Sequence, residues 1–324
     1  MSDAVRWLRW LFPVALLVVG LVVFRDELPF LGEAWSALRH ASPRAVALAV
    51  LSAVASIVAM SAAMQLLINI QGRITGLRRC TAITLASNAW STTIPGGPAL
   101  SAWLTYRVHR AWGASPGLCG WFFVISGALS TVWLVVIGAI SVIFLGASLS
   151  VGALAASLAV AVTVAAALFW ATRNPGVLRR GVRLTPQRVQ GRLEDVVGQI
   201  SAIRMSGGAF ALTAMFSLAN RLLDAATLFF ATWAVTGEPS LRTVALAFVM
   251  TKLAGAAQVT PGGVGTVEAV TAGVMVASGL SLADATAATV LYRLISFAFI
   301  TALGWIVYVT RYAGRGFMLG APAR

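Results

Sequence analysis

The sequence predicts an all-α polytopic membrane protein: an inverted-topology repeat over about 45–140 and 211–306, with six spanning helices and two Pro-Gly-Gly-broken re-entrant hairpins. Three observations predict it. First, the chain is 59% hydrophobic and only 10% charged, with a mean hydropathy of +0.87. A soluble domain carries about 25% charged residues, and several apolar runs here exceed the roughly 20 residues that span a bilayer core. Second, residues 93–140 align without a gap on 259–306, with 12 identities in 48 positions. These include Pro95-Gly96-Gly97 with Pro261-Gly262-Gly263, Gly113 with Gly279, Ser115 with Ser281, Ser130 with Ser296 and Gly138 with Gly304. Third, 23 of the 24 basic residues are Arg, and most lie in loops beside apolar runs.

Arg6 and Arg9 precede a first span at 10–24. Arg25-Asp26-Glu27 follows it instead of a small-residue cleavage site, so the span is read as uncleaved. A polar connector leads to a second span at 45–70, and the loop 71–79 carries Arg73, Arg78 and Arg79. Residues 80–94 are moderately apolar, break at Pro95-Gly96-Gly97-Pro98 and continue as a short apolar piece to 112. Spans follow at 118–145 and 151–171. The loop 173–207 holds seven Arg, and Val189, Leu193, Val196, Ile200 and Ile203 recur in it at helical spacing. That pattern is an amphipathic helix, either lying on the bilayer surface or packed as a connector. Residues 209–235 span again and contain Asn220, Arg221 and Asp224. Residues 243–259 and 264–278 flank the second break, and 285–310 form the last span. The whole chain, 1–324, is read as one transmembrane domain.

Orientation follows from the positive-inside rule. With the N-terminus in the cytoplasm, 17 basic residues fall on the cytoplasmic side, four outside and three within membrane segments. The first hairpin then enters from the cytoplasm and the second from outside, so the two copies run in opposite directions. The expected location is the inner (plasma) membrane, multi-pass, with both termini cytoplasmic.

The breaks have a physical reason. Pro lacks an N–H and Gly lacks a β-carbon, so the helix stops and frees backbone polar groups. Such groups must face protein, water or a polar ligand rather than lipid. A helix that restarts after the break offers N–H groups to an anion such as a phosphate; the alternative is a kink that only eases packing. The candidate binding residues are therefore Pro95, Gly96, Gly97, Pro261, Gly262, Gly263 and Gly265. Polar and charged residues within reach join them: Asn88, Arg107, Arg221, Asp224, Lys252, Glu268 and Arg293. Arg221 and Asp224, three apart, either pair locally or act on a ligand. Glu268 pairs with Lys252, the only lysine, or with Arg293. A charge at the bilayer centre costs at least about 2.5–3.5 kcal/mol, which makes intramembrane ions functional candidates.

Other chemistries find little support. A net charge of +14 is explained by topology and anionic-lipid contact, not by nucleic acid. Two cysteines make no disulfide framework. No phosphate-binding GxxxxGK[ST], HExxH or GxSxG occurs, and His40 and His109 have no catalytic neighbour. No cofactor or metal is expected.

Pro261-Gly262-Gly263-Val264-Gly265-Thr266-Val267-Glu268-Ala269, followed by Tyr292-Arg293-Leu294, resembles the lysylphosphatidylglycerol synthase transmembrane-region family of flippase-like membrane proteins. The resemblance runs over roughly residues 10–312. The family's first motif has Gly and an acid after the Pro, where this chain has Ala99 and Leu100, with Arg107 as the basic residue beyond. Larger members carry a fused aminoacyl-transferase domain, and their membrane region moves the charged phospholipid between leaflets. The resemblance thus implies a stand-alone lipid transporter, not an enzyme. Its expected partner is an anionic or phosphate-bearing lipid: a phospholipid, a polyprenyl phosphate or a glycolipid. The alternatives are a membrane enzyme acting on a lipid-phosphate group and a non-catalytic partner of a cell-envelope glycosyltransferase. A cell-envelope biosynthesis protein or a second copy of the chain completes the expected partners.

Overall fold

The structure, a computed structural model, describes residues 39–145, 203, 205–257 and 261–315. The expected spans at 10–24 and 151–171 lie outside the described residues, as does nearly all of the amphipathic loop. The described residues are helical, with no strand among them. In chain order the helices are α1 (Pro43–Ile68), α2 (Leu77–Thr93), α3 (Gly97–Ala111), α4 (Pro116–Leu145), α5 (Gly207–Thr236), α6 (Leu241–Ala257), α7 (Thr266–Ala277), α8 (Leu282–Arg293) and α9 (Ile300–Arg311). A 3₁₀ turn occupies Pro261–Gly263, and a π-helical turn, Leu294–Phe299, joins α8 to α9.

Three described helical stretches are long and apolar enough to cross a membrane: Pro43–Ile68, Pro116–Ser141 and Leu282–Arg311. The chain is a helical membrane protein. Helix α5 is as long as α4, but with Arg221 and Asp224 it is not among the three.

Local chemistry explains where these helices stop and start. Pro43 and Pro116 each open a helix, at the position where a missing N–H costs nothing. Asn69 folds the loop after α1: its Oδ1 accepts from the Ile74 and Thr75 N–H groups, and its Nδ2 donates to Thr75 O. The paired identities of the sequence become paired caps. Gly113 (φ 97°) and Gly279 (φ 102°) end α3 and α7 in a conformation open to glycine, and the next residue bonds back to His109 O and Met275 O respectively. Ser115 and Ser281 then cap α4 and α8 by accepting from the N–H three residues on.

The described residues fall into two compact units. One takes the chain up to Ala53, Leu85–Leu104 and Ala226 onward; the other takes Val54–Thr84 and Thr105–Ala225. In the first unit α6 packs on α7 and α7 on α8. Thr251 and Thr271, both buried, share a 2.6 Å hydroxyl contact there. Trp90, Trp103, Trp305 and Tyr308 form an aromatic cluster, with Trp90 stacked on Trp103 at 6.4 Å. Gly304 lies against Leu85 O and Ala89 Cβ, so close that a β-carbon there has no room.

In the second unit Trp133 Nε1 donates to Ala214 O at 3.0 Å. Ser56 and Asn220 bond reciprocally: Asn220 Nδ2 reaches Ser56 O and Oγ, and Ser56 Oγ donates to Asn220 O. His109 is fully buried between Trp112 and Phe122.

Candidate functional site

In the first unit the chain folds tightly around the second break. Gly262 takes φ 63°, and a β-carbon on it would meet the Phe297 ring at 2.6 Å and Thr92 O at 2.7 Å. Only glycine fits both the backbone angle and the space. Thr92 belongs to the end of α2, three residues before Pro95, so the approach to the first break lies against the second. Thr92 Oγ1 also meets Thr301 Oγ1 at 3.1 Å, and Trp305 Nε1 donates to Thr93 Oγ1 at 3.2 Å.

Glu268 and Arg293 meet at this point. Arg293 Nε donates to Glu268 Oε1 at 2.5 Å, and a terminal guanidinium nitrogen donates to Gly262 O at 3.0 Å. Of the two pairings the sequence leaves open, the structure shows this one. The other carboxylate oxygen, Oε2, accepts from Gly265 N at 2.7 Å, so Glu268 caps its own helix, α7. Gly265 reaches that position with φ 83°. The restart of the helix therefore presents its N-terminal charge to an internal carboxylate. The guanidinium also lies over the Phe297 ring at 4.2 Å, in cation–π contact. Both members of the pair are 15% exposed.

Lys252 stands on α6, next to this cluster in the chain's contacts. Its Nζ donates to Tyr292 Oη at 3.2 Å and lies 5.2 Å from the Phe248 ring centre. Lys252 thus sits against Tyr292, the residue that precedes Arg293.

The first break differs chemically. Gly96 has φ 69° and Gly97 sits against the Trp90 and Ser91 carbonyls without room for a β-carbon, so the turn is as tight as the second. Yet Pro98 has no N–H, and Ala99 N and Leu100 N both bond to Gly96 O. Ala102 stands at the position equivalent to Glu268. The start of α3 has no acid cap and little free N–H. Asn88, half-buried on α2, keeps a buried Oδ1 without a hydrogen-bond partner among the described residues.

The remaining candidates lie in the second unit. Arg107 is half-buried on α3. Arg221 donates from a terminal nitrogen to Ser130 Oγ. Asp224 is half-buried one turn further along α5. Sequence reasoning missed Tyr292, Phe297, Phe248 and the Gly262 carbonyl as parts of the Arg293 cluster. Tyr292 stood beside Arg293 in the motif, which was the one readable signal. The π-helical turn that follows Arg293 had none, although such turns recur at functional sites.

No curated protein matches the chain significantly. Residues 10–304 match the family described as the Lysylphosphatidylglycerol synthase TM region, which spans both breaks, Glu268 and Arg293. That match extends over nearly the whole chain, and with the apolar helices and the Pro-Gly-Gly cluster around Arg293 it places the protein: the chain belongs to the family of the lysylphosphatidylglycerol synthase transmembrane region.

Proposed function

We propose that the protein is a flippase-like transporter that moves an anionic or phosphate-linked lipid between leaflets, with Arg293 as the headgroup contact. The observation that carries this reading is the arrangement of the guanidinium. Glu268 and Gly262 O hold two of its nitrogens in place, and Arg has five N–H donors in a planar fork. The remaining donors suit a phosphate. Lys252 Nζ bonds the Tyr292 hydroxyl, one residue from Arg293, which brings a second cation close to that contact.

Transport is favoured over lipid-phosphate chemistry because Glu268 has both oxygens engaged, by Arg293 and by Gly265 N. A general base needs a free oxygen within reach of the proton it takes. A docking role beside a glycosyltransferase would not require an oriented intramembrane arginine.

Alternating access needs two opposed copies, and several observations support them. Helix bounds and caps recur at the 166-residue offset, including Gly96 (φ 69°) with Gly262 (φ 63°). Helices α1 and α5, repeat mates, meet through Ser56 and Asn220, 164 residues apart. The contact falls two residues from the 166-residue offset, close to equivalent positions, as expected near an axis that relates the copies. Helices α2, α3, α6 and α7 have 17, 15, 17 and 12 residues. At 1.5 Å per residue they reach about 18–25 Å, short of the ~30 Å hydrocarbon core, which favours re-entry from one side. The charge bias puts both termini in the cytoplasm.

The test of function is a proteoliposome assay with a labelled anionic phospholipid. Wild-type protein is expected to equilibrate the label across the bilayer far faster than protein-free vesicles, and Arg293→Ala to lose that gain. Wild-type vesicles that scramble no faster than empty ones would sink the reading. For the inversion, single cysteines replace Ala111 and Ala277, which are exposed repeat mates at the ends of α3 and α7, in a background lacking the buried Cys80 and Cys119. An impermeant thiol reagent is expected to label one from each face; both labelling from one face refutes opposed copies.

A further inference from the structure

Three arginines, Arg73, Arg78 and Arg79, stand exposed on the turn between α1 and α2. The turn itself is tightly bonded. Asn69 clamps it through the Ile74 and Thr75 N–H groups and the Thr75 carbonyl. Gly72 N donates to Asn69 O, and Gly76 O takes the N–H groups of Arg79 and Cys80 to start α2. Thr75 and Cys80 are buried, which anchors the stretch. The backbone is thus satisfied from within. The three guanidinium groups are not: none has an ion pair or hydrogen bond among the described residues.

The fold does not require these charges. Arg78 and Arg79 are the second and third residues of α2, whose first turn holds no acid. A helix start carries partial positive charge, so cations are unfavourable there. The internal repeat supplies the comparison. At the 166-residue offset Arg73, Arg78 and Arg79 correspond to Pro239, Val244 and Ala245. The turn before α6 sets one arginine, Arg242, against one acid, Glu238, and Ser240 Oγ accepts from Thr243 N at 3.4 Å. The equivalent helix therefore starts without an arginine at any of the three positions. What the first copy gains from them is an anion outside the turn. Lipid headgroups suit it better than an acidic protein. The turn follows directly on α1, a helix long and apolar enough to cross a membrane. Leu77, 38% exposed, and the half-buried Ile74 place apolar side chains among the arginines. That mixture matches the boundary between headgroups and acyl chains, and the guanidinium fork matches a phosphate.

We infer that the α1–α2 turn is a docking surface for the phosphates of anionic phospholipids, held as bound neighbours of the protein and not as its cargo. It uses no residue of the Arg293 cluster and does not depend on transport. The full chain is reconstituted in nanodiscs of phosphatidylcholine with a minor fraction of phosphatidylglycerol, and the retained lipids are counted by native mass spectrometry. Both faces of a nanodisc offer the same lipids, so orientation does not enter. The triple variant Arg73→Gln, Arg78→Gln, Arg79→Gln is expected to lower the retained ratio of phosphatidylglycerol to phosphatidylcholine by about tenfold, each basic residue being worth a few-fold beside an anionic surface. The same drop is expected in an Arg293→Gln background, so failure of the transport reading leaves this one standing. Wild type needs no substitution: raising the salt from about 0.1 to about 1 M shortens the screening length from about 10 to about 3 Å and should lower its ratio as well. In detergent without anionic lipid the triple variant should melt no lower than wild type, because no contact is lost and α2 sheds two charges from its first turn. A triple variant with the wild-type ratio, or a wild-type ratio indifferent to salt, overturns the inference. So does a triple variant that melts well below wild type in detergent, which would make the arginines structural. A polyglutamate peptide is the second probe. If it binds wild type through these arginines while phosphatidylglycerol is not preferred, the surface is a protein dock and the lipid inference falls.

Discussion

In Arg293→Ala protein, lipid movement falls to the vesicle background and the second break loosens. The side chain does three things at once: it neutralises Glu268, holds the Gly262 carbonyl and covers the Phe297 ring. Removing it leaves a carboxylate that is 15% exposed without its ion partner. Breaking a buried pair from one side costs about 3–5 kcal/mol. The expected thermal shift is correspondingly large. Glu268→Ala leaves the guanidinium uncompensated and also removes the α7 cap, so it too destabilises. The double variant is expected to be less damaged than the sum of the two, with a coupling of roughly 0.5–3 kcal/mol, the range for residues in one network. Arg293→Lys should restore little, because an ammonium cannot hold Glu268 and Gly262 O in the same planar geometry. Additive effects in the thermal-unfolding cycle, or a Lys variant with wild-type transport, would show that the pair does not act as a unit.

Gly304→Ala should cost nearly as much, although it adds one methyl group. Gly304 packs against the Leu85 carbonyl and the Ala89 methyl, and a β-carbon there lies inside their van der Waals contact. The neighbour is helix backbone, which cannot swing aside. Overpacking of this kind costs about 1–3 kcal/mol and occasionally more. It would also push apart residues that carry the Thr92–Thr301 and Trp305–Thr93 contacts next to Gly262. The control is Gly273→Ala on α7, where an added β-carbon meets nothing. Helix propensity predicts a gain of up to about 1 kcal/mol there. Equal melting temperatures for Gly304→Ala and Gly273→Ala would show that the close approach carries no weight.

These two glycines show how the sequence can and cannot be read. Gly304 was visible as an identity with Gly138, and so as part of a repeat. Nothing in the string separates it from Gly273, because the difference is which backbone passes by. Glu268 and Arg293 were both legible as charges in apolar segments, which must find partners. That Glu268 would serve Arg293 and its own helix end, while Lys252 turns to Tyr292, depended on side-chain reach across the turn. The expected anion site at the restarted helix is correspondingly altered. Glu268 fills the N-terminus of α7, and at α3 Pro98 and the Gly96 carbonyl leave little to offer.

The sequence by itself determined the class, the helix order and the places where helices stop. Hydropathy and length are properties of the chain alone, and Pro-Gly-Gly and the Gly-x-Ser turns act within a few residues. It also determined the repeat, because an offset needs no coordinates. Only the tertiary structure decided that the approach to the first break lies on the second, that Arg293 bonds Glu268, and that Gly127 lines a cavity where its repeat mate, Arg293, carries a guanidinium. Each of those depends on contacts between residues far apart in the chain, and such contacts follow from packing, where a single β-carbon decides what fits.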